Sequence, residues 1–470
     1  MTDEYSLSKL QEDIHTSLKS WHDIGKDVSP LTHLQLYRQA RLSGLASARR
    51  ATNEILLDAL DSLADEHEDN ATLLRQHFLD GMLMHTIANR LNIGQSTAYR
   101  KQQEALHQLA LIIQSKENQA REVYQAALEK RLRLPPEVHL FGVGEQFGSL
   151  LERLTATESP WLISIEGLGG IGKTALANAL ARRPELINRF YEIAWVSAKQ
   201  QRFFPGRGLE EKTSPALTVE VFVDTLLGQF GQSALLAQSA SEKREGLISL
   251  LKQSPYLIVI DNLETMVDYQ ALLPILGEIV NPSKVLLTSR HSVREFPDIF
   301  CVTLEGLSQT DTFELIKHEA HTRGLFMLAK ASTAQFQQIY DVVGGNPLAL
   351  KLVVGQAAFL PLSQVLENLI EARSKSISEL YTHIYWQAWE MLDAVSRQTL
   401  LVLPAVEEGT LKHLLFLSQL EPAELYQALQ QLATLSLVQV EGDLEERHYS
   451  IHRLTETFLL SQAITWQSSA

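Results

Sequence analysis

Residues 162–177 read Leu-Ile-Ser-Ile-Glu-Gly-Leu-Gly-Gly-Ile-Gly-Lys-Thr-Ala-Leu-Ala: an apolar run, a glycine loop closing on Lys-Thr, and the start of an alanine-rich helical pattern. From Gly167 to Thr174 the spacing is G-x-x-x-x-G-K-[ST]. In such a loop the backbone N–H groups of Gly169, Gly170, Ile171, Gly172 and Ala175 point at a polyphosphate, Lys173 supplies a point charge, and the Thr174 hydroxyl ligates Mg2+. A helix that begins at Lys173 adds its positive dipole end to the same anion. Gly167, Gly169 and Gly172 also satisfy the dinucleotide spacing G-x-G-x-x-G. That reading needs an acidic residue at the end of the next strand to hold a ribose. Here the next apolar run, Ile193–Ser197, leads into Ala198-Lys199-Gln200 instead. The chain is therefore expected to bind a nucleoside triphosphate.

A chain of 470 residues exceeds what one core can organise, so several domains are expected. No stretch reaches the roughly 18 uninterrupted apolar residues of a membrane span. The N-terminal Met-Thr-Asp-Glu-Tyr lacks an apolar signal core. The single cysteine, Cys301, lies in an apolar run and reads as a buried small hydrophobe in a reducing, cytoplasmic protein. Net charge is -15, and nearly all of it falls beyond residue 134. An acidic body repels nucleic acid, so any contact with it belongs to the N-terminal segment.

Two further apolar runs complete the sheet pattern. Tyr256–Asp261 ends in an acid, as a buried parallel strand would when its carboxyl end delivers a Mg2+-holding carboxylate beside the loop. Lys284–Arg290 brings Arg290 to the same edge, where its guanidinium could report a terminal phosphate or simply face solvent. Strands alternating with helical patterns between 160 and 300 predict a doubly wound parallel sheet with its ligand at the carboxyl ends.

The order of these motifs resembles the NB-ARC branch of the STAND nucleotide switches, relatives of plant resistance proteins and the apoptotic protease-activating factor. The resemblance is carried by Leu140–Glu145, the P-loop, Ala194–Ser197, Asp261–Glu264, Leu287–Arg290, Gly344–Ala349 and Ser450–Arg453, over roughly two thirds of the chain. It implies that Phe141, Gly142 and Val143 line an adenine pocket, and that Pro347, in a helical domain, closes over the base. It also implies a winged-helix domain whose His452 contacts the diphosphate in a closed, ADP-bound form. The run Leu437–Val440, a Glu441-Gly442-Asp443 turn and Tyr449–Ile451 read independently as the wing hairpin.

Two positions depart from the family pattern. Asn262 stands where many members carry a second acid, which leaves Glu264 as the nearest substitute base and predicts slow hydrolysis. The usual Met-His-Asp appears as Ile451-His452-Arg453, so the aspartate contact is missing. No internal repeat is found towards the C-terminus.

Upstream, residues 71–110 carry a helix-turn-helix pattern that resembles the DNA-contacting region of sigma factors and response regulators. Ile87, Ala88, Leu91, Ile93 and Ala98 are expected to pack two short crossing helices, with Asn92 at the left-handed turn position. The second helix, expected from Gln95 to Ala110, would project Gln95, Ser96, Tyr99, Arg100, Gln102 and Gln103 outward. Between Met82 and Gln103 stand Arg90, Arg100 and Lys101 and no acid. Polar amides, a tyrosine and cations on one face suit base edges and phosphates in a major groove. A helical bundle that recruits a protein remains the alternative, because the segment's overall charge is near neutral.

The sequence thus predicts a multidomain α/β plus all-α protein: a helical domain over 1–115, a helix and linker over 116–139, a P-loop domain over 140–303, a helical domain over 304–384 and a winged-helix domain over 385–470. It reads as an ATP/ADP-gated, Mg2+-dependent switch with duplex DNA as partner, homo-oligomeric with ATP and answering an unidentified protein or small-molecule signal. The rival is a defence or assembly ATPase with a protein-recruiting N-terminal module, and a weaker third reading is a motor-like ATPase acting on DNA.

Overall fold

The computed structural model describes residues 7–23, 27–42, 47–132, 139–198, 217–263, 266–289, 293, 296, 298–373, 385–386, 388–389, 391–406, 409–435, 437–442, 447–451, 455 and 459. It divides into two compact units, Met1–Arg131 and Leu132–Ala470.

The first unit is all helical: α1 Leu7–Lys19, α2 Gln35–Leu42, α3 Ala48–Glu66, α4 Glu68–Leu74, α5 Met84–Arg90 and α6 Gln95–Arg131. Helix α6 has 37 residues, about 55 Å at 1.5 Å per residue, and α1 to α5 all pack on it. The helix expected to stop at Ala110 runs on, because no Gly or Pro interrupts the chain before Arg131. Residues 116–131 accordingly belong to this unit's longest helix. Leu106, Leu109 and Ile113 form its buried stripe, and Leu10 and Ile14 on α1 and Leu56 and Leu60 on α3, two helices that pack on it, are buried as well. Further along, the buried Glu117 carboxylate accepts the N–H groups of Gln35 and Leu36 at 2.9 and 3.1 Å, so α6 caps the start of α2.

The second unit opens with α7 Gly144–Thr155 and a five-stranded sheet: β1 Leu162–Glu166, β2 Ile193–Ser197, β3 Leu257–Leu263, β4 Lys284–Ser289 and β5 Ile299–Thr303. All pairings are parallel, in the order β2-β3-β4-β1-β5. Every residue of β1 and β4 is buried, which is why each has an apolar centre, with polar residues at Ser164 and Glu166 of β1 and at Lys284, Thr288 and Ser289 of β4. Helices α8 Lys173–Ala181, α9 Pro184–Arg189, α10 Val219–Gln229, α11 Ser233–Leu236, α12 Ala240–Gln253 and α13 Met266–Ile279 connect the strands. Cys301 lies in β5, half-buried rather than in the core.

After the sheet come α14 Gln309–Thr322, α15 Phe326–Ala329, α16 Thr333–Val343, α17 Pro347–Gln356 and α18 Leu362–Arg373. The C-terminal block comprises α19 Ala394–Val402, β6 Gly409–Thr410, α20 Leu411–Ser418, α21 Pro422–Thr434, β7 Gln439–Gly442 and β8 Arg447–Ser450. Its strands form an antiparallel sheet in the order β6-β8-β7. The hairpin is present, but Glu441 and Gly442, expected in its turn, pair with His448 and Arg447 in the ladder. One continuous apolar core joins this block to the preceding helices, with Phe336, Leu350 and Val353 in the same cluster as Leu400, Leu425, Leu432 and Tyr449.

Candidate nucleotide-binding site

The P-loop leaves β1 at the carboxyl edge of the sheet. Gly167 has φ +149°, and a Cβ there would lie 2.6 Å from the Leu304 carbonyl oxygen, so only glycine permits this turn against the chain leaving β5. The loop ends at Gly172, and α8 starts at Lys173 with Leu176, Ala177, Leu180 and Ala181 buried beneath it. Lys173 Nζ donates to the carbonyls of Gly167 and Leu168, both at 2.8 Å. The ammonium is thereby held inside the curve of the loop that the sequence assigned to phosphate.

Thr174 is the next residue on α8, and its hydroxyl donates to Asp261 Oδ1 at 2.8 Å. Asp261 is buried at the end of β3 and accepts a second hydroxyl, that of Thr288 on β4, at 2.6 Å. The register between β3 and β4 slips after Ile260, so that Leu263 pairs with Ser289. The extra residue of this bulge is taken up around Asn262, which adopts φ +67°. Its backbone N–H donates to Thr288 Oγ1 at 2.9 Å and its side-chain amide donates to Asp261 Oδ2 at 2.9 Å. Asn262 therefore supports the aspartate and carries no lone pair basic enough to take a proton from water.

A carboxylate and a hydroxyl, both hard oxygen donors and within hydrogen-bond reach, fit the two protein ligands Mg2+ takes beside phosphate oxygens. Thr174 and Asp261 would hold the ion, and when bound it would neutralise charge between the terminal phosphates. Among the described residues no group of three or more His, Cys, Asp or Glu could hold a metal by itself.

The helical block closes on the loop from above. Asn346 caps α17, accepting the N–H groups of Leu348 and Ala349 at 3.1 and 3.2 Å, and its Nδ2 donates to the Gly169 carbonyl at 2.9 Å. Leu348 N donates to Gly170 O at 3.4 Å, and Pro347 occupies the first turn of α17 between these contacts. The entry segment also meets the block: Gly142 abuts Asp311 and Leu307, and the Phe141 ring lies 5.6 Å from that of His318 on α14. Val143 precedes α7 directly.

Phe141, Gly142, Val143, the loop glycines, Ile171, Lys173, Thr174, Ala175, Asp261 and Pro347 thus fall in one unit, on the loop, on the sheet edge or on the segments that pack on them. Glu264, Arg290 and His452, together with Arg453, lie outside the described residues. Sequence reading passed over three contributors. Thr288 and Asn346 were inside recognised motifs but were not singled out. The third, buried Glu166, ends β1 and accepts the Val293 N–H at 2.7 Å, anchoring the chain three residues beyond Arg290. A cleft of about 470 Å³ lined by Pro160, Trp161, Gly277, Val280 and Phe300 opens at the amino ends of β1 and β5. It is on the edge opposite the P-loop, away from where parallel sheets bind ligands.

Residues 144–325 match the NB-ARC domain family. The chain carries an NB-ARC domain. It is similar to the transcription activator GutR of Bacillus subtilis, 24% identical over 62% of this chain and 37% of that protein. It is also similar to a probable disease resistance protein of Arabidopsis thaliana, 28% identical over 46% of this chain and 24% of that protein. The chain spans less than half the length of either relative. Among solved structures, a STAND protein with a tetratricopeptide repeat sensor from Pyrococcus horikoshii aligns with a TM-score of 0.43 and 19% identity, over 69% of this chain and 42% of that one. The P-loop, Gly167 to Thr174, lies inside the matched residues. No helix among the described residues is long and apolar enough to cross a membrane.

In the first unit, α5 and α6 are joined by a short turn in which Asn92 adopts φ +51°. Ile87, Ala88 and Ala98 are buried as expected, whereas Leu91 is 43% exposed and Ile93 half-buried. Gln95, Ser96, Tyr99, Arg100 and Gln103 are exposed on α6 and Lys101 is half-buried. Gln102, expected to project outward, is buried, because it continues the stripe of Ala98, Ala105 and Leu109 at helical spacing.

Proposed function

We propose that this protein is an ATP/ADP-gated switch whose α5–turn–α6 segment is a DNA-binding output, acting as a cytoplasmic transcriptional regulator of bacterial type. The observation that carries the switch is the direct bonding of the P-loop to α17, because it ties the phosphate-binding backbone to a block that shares its core with the C-terminal segment. A ligand that favours one arrangement of the loop then biases the arrangement of the block. Thr174 and Asp261 hold Mg2+, Phe141, Gly142, Val143 and Pro347 contact adenine, and the C-terminal block serves as a winged helix that presents His452 to the diphosphate. With Asn262 in the acid's position, hydrolysis is slow and resets the switch rather than driving work. ATP favours a homo-oligomer, which an unidentified protein or small-molecule signal promotes.

The exposed Gln95, Ser96, Tyr99 and Arg100 support duplex DNA as the output, as does the similarity to a transcription activator. A second reading has its own support. Leu83 and Leu91, 64% and 43% exposed at the two ends of α5, suit a protein partner, and the similarity to disease resistance proteins fits a defence role. Selection of binding sites from random duplex DNA, with full-length protein in ATP and in ADP, decides between them. Enrichment that disappears in Arg100→Ala supports the first reading, and no enrichment in either nucleotide supports the second.

A further inference from the structure

We propose that Asn346 is a positioning residue of the nucleotide site: its amide fixes the P-loop backbone for phosphate from the helical block, across a sequence separation of 177 residues. The proposal rests on the nucleotide-binding reading of the loop and adds a residue that this reading does not require.

The geometry uses both ends of the amide. Oδ1 accepts the first N–H groups of α17, those of Leu348 and Ala349, while Nδ2 donates to Gly169 O at 2.9 Å. Asn346 is 4% exposed, so water does not compete for either bond. The peptide joining Gly169 to Gly170 is planar and trans, so a carbonyl held towards Asn346 turns the Gly170 N–H to the opposite side of the loop. The N–H groups of this loop are the donors that a polyphosphate uses. Orienting them before the ligand arrives removes part of the ordering cost of binding.

A second contact from the same helix start fixes the next peptide of the loop, the one joining Gly170 to Ile171. Gly170 has φ +75°, and a Cβ on it would lie 2.8 Å from Leu348 Cβ, so the loop and the first turn of α17 approach to backbone distance. Leu348 N reaches Gly170 O at 3.4 Å. Leu350 and Val353, on the same helix, belong to the core shared with the C-terminal block. A shift of α17 is therefore felt as a change in the direction of the Gly170 N–H, and the reverse also holds.

Side-chain chemistry separates this role from simple helix capping. Asp and Ser cap helices about as well as Asn, yet an ionised Asp has no donor and the Ser hydroxyl is too short to reach Gly169 while capping. Asn346→Asp and Asn346→Ser therefore keep the start of α17 and delete the bond to the loop. Titration calorimetry of full-length protein with Mg2+ADP, alongside helical content by circular dichroism, tests this. Both variants are expected to keep the parent's helical content and to bind Mg2+ADP roughly tenfold more weakly, the loss of one well-placed buried hydrogen bond. Parent-like affinity in either folded variant overturns the proposal and leaves Asn346 as a cap alone. If the parent itself fails to bind Mg2+ADP, the nucleotide reading falls instead, and the two failures are distinct.

Discussion

The hydroxyl of Thr174 at the start of α8 and the carboxylate of Asp261 at the end of β3 meet at 2.8 Å across 87 residues of chain. Two elements of opposite character, a helix N-terminus and a strand C-terminus, converge there because the parallel sheet sets all its carboxyl ends on one edge. An oxygen pair of this kind is what Mg2+ uses together with phosphate. Asp261→Asn should leave nucleotide binding without Mg2+ close to the parent's and remove the gain that Mg2+ gives. Paired calorimetric titrations with Mg2+ and with EDTA check this, and a full Mg2+ response in the variant would count against Asp261 as the metal residue.

Thr288 couples β4 to that pair by donating to Asp261 while accepting from the Asn262 backbone. Thr288→Val keeps the shape but leaves both the carboxylate and a backbone N–H short of a partner. A loss of about 1–3 kcal/mol in unfolding free energy is expected, measured by urea denaturation.

Hydrolysis should be slow. Asn262 is committed to Asp261 through its amide, and it offers no base to the attacking water. Single-turnover assays should give a rate well below the median enzyme value of roughly 10 per second. Turnover at or above that value would mean that another group in the site acts as the base.

Lys284, fully buried at the start of β4, donates to the carbonyls of Arg153 and Glu158. Burial and the neighbouring charge of Arg189, partly offset by Glu158, bring its ammonium from 10.5 down to about 8. The folded chain therefore holds fewer protons here than the unfolded chain between those two values. Linkage makes stability rise with pH across that window, by an amount on the order of 2–3 kcal/mol at most. Urea unfolding from pH 8 to 10 should show the rise, and Lys284→Met should flatten it.

The sheet and the loop were legible in the sequence because their constraints are local. Buried parallel strands read as apolar runs, and the glycine spacing is dictated by backbone geometry within a few residues. What escaped depends on distant partners. Asn346 matters through Gly169, and Thr288 through Asp261, neither of which is near in sequence. The length of α6 did have a sequence signal, an unbroken run without Gly or Pro, but the charged residues after Ser115 suggested a linker. Gln102 shows the limit of polarity as a guide: its position on the helical stripe outweighed its amide.

The central claim is that the glycine loop, with Lys173 at its heart, binds an adenine nucleotide. Calorimetric titration of ATP and ADP with Mg2+ into the parent and into Lys173→Ala tests it most directly. One nucleotide per chain in the parent, with no measurable binding in the variant, is the predicted result. Unchanged affinity in Lys173→Ala, or no binding by the parent, would contradict it.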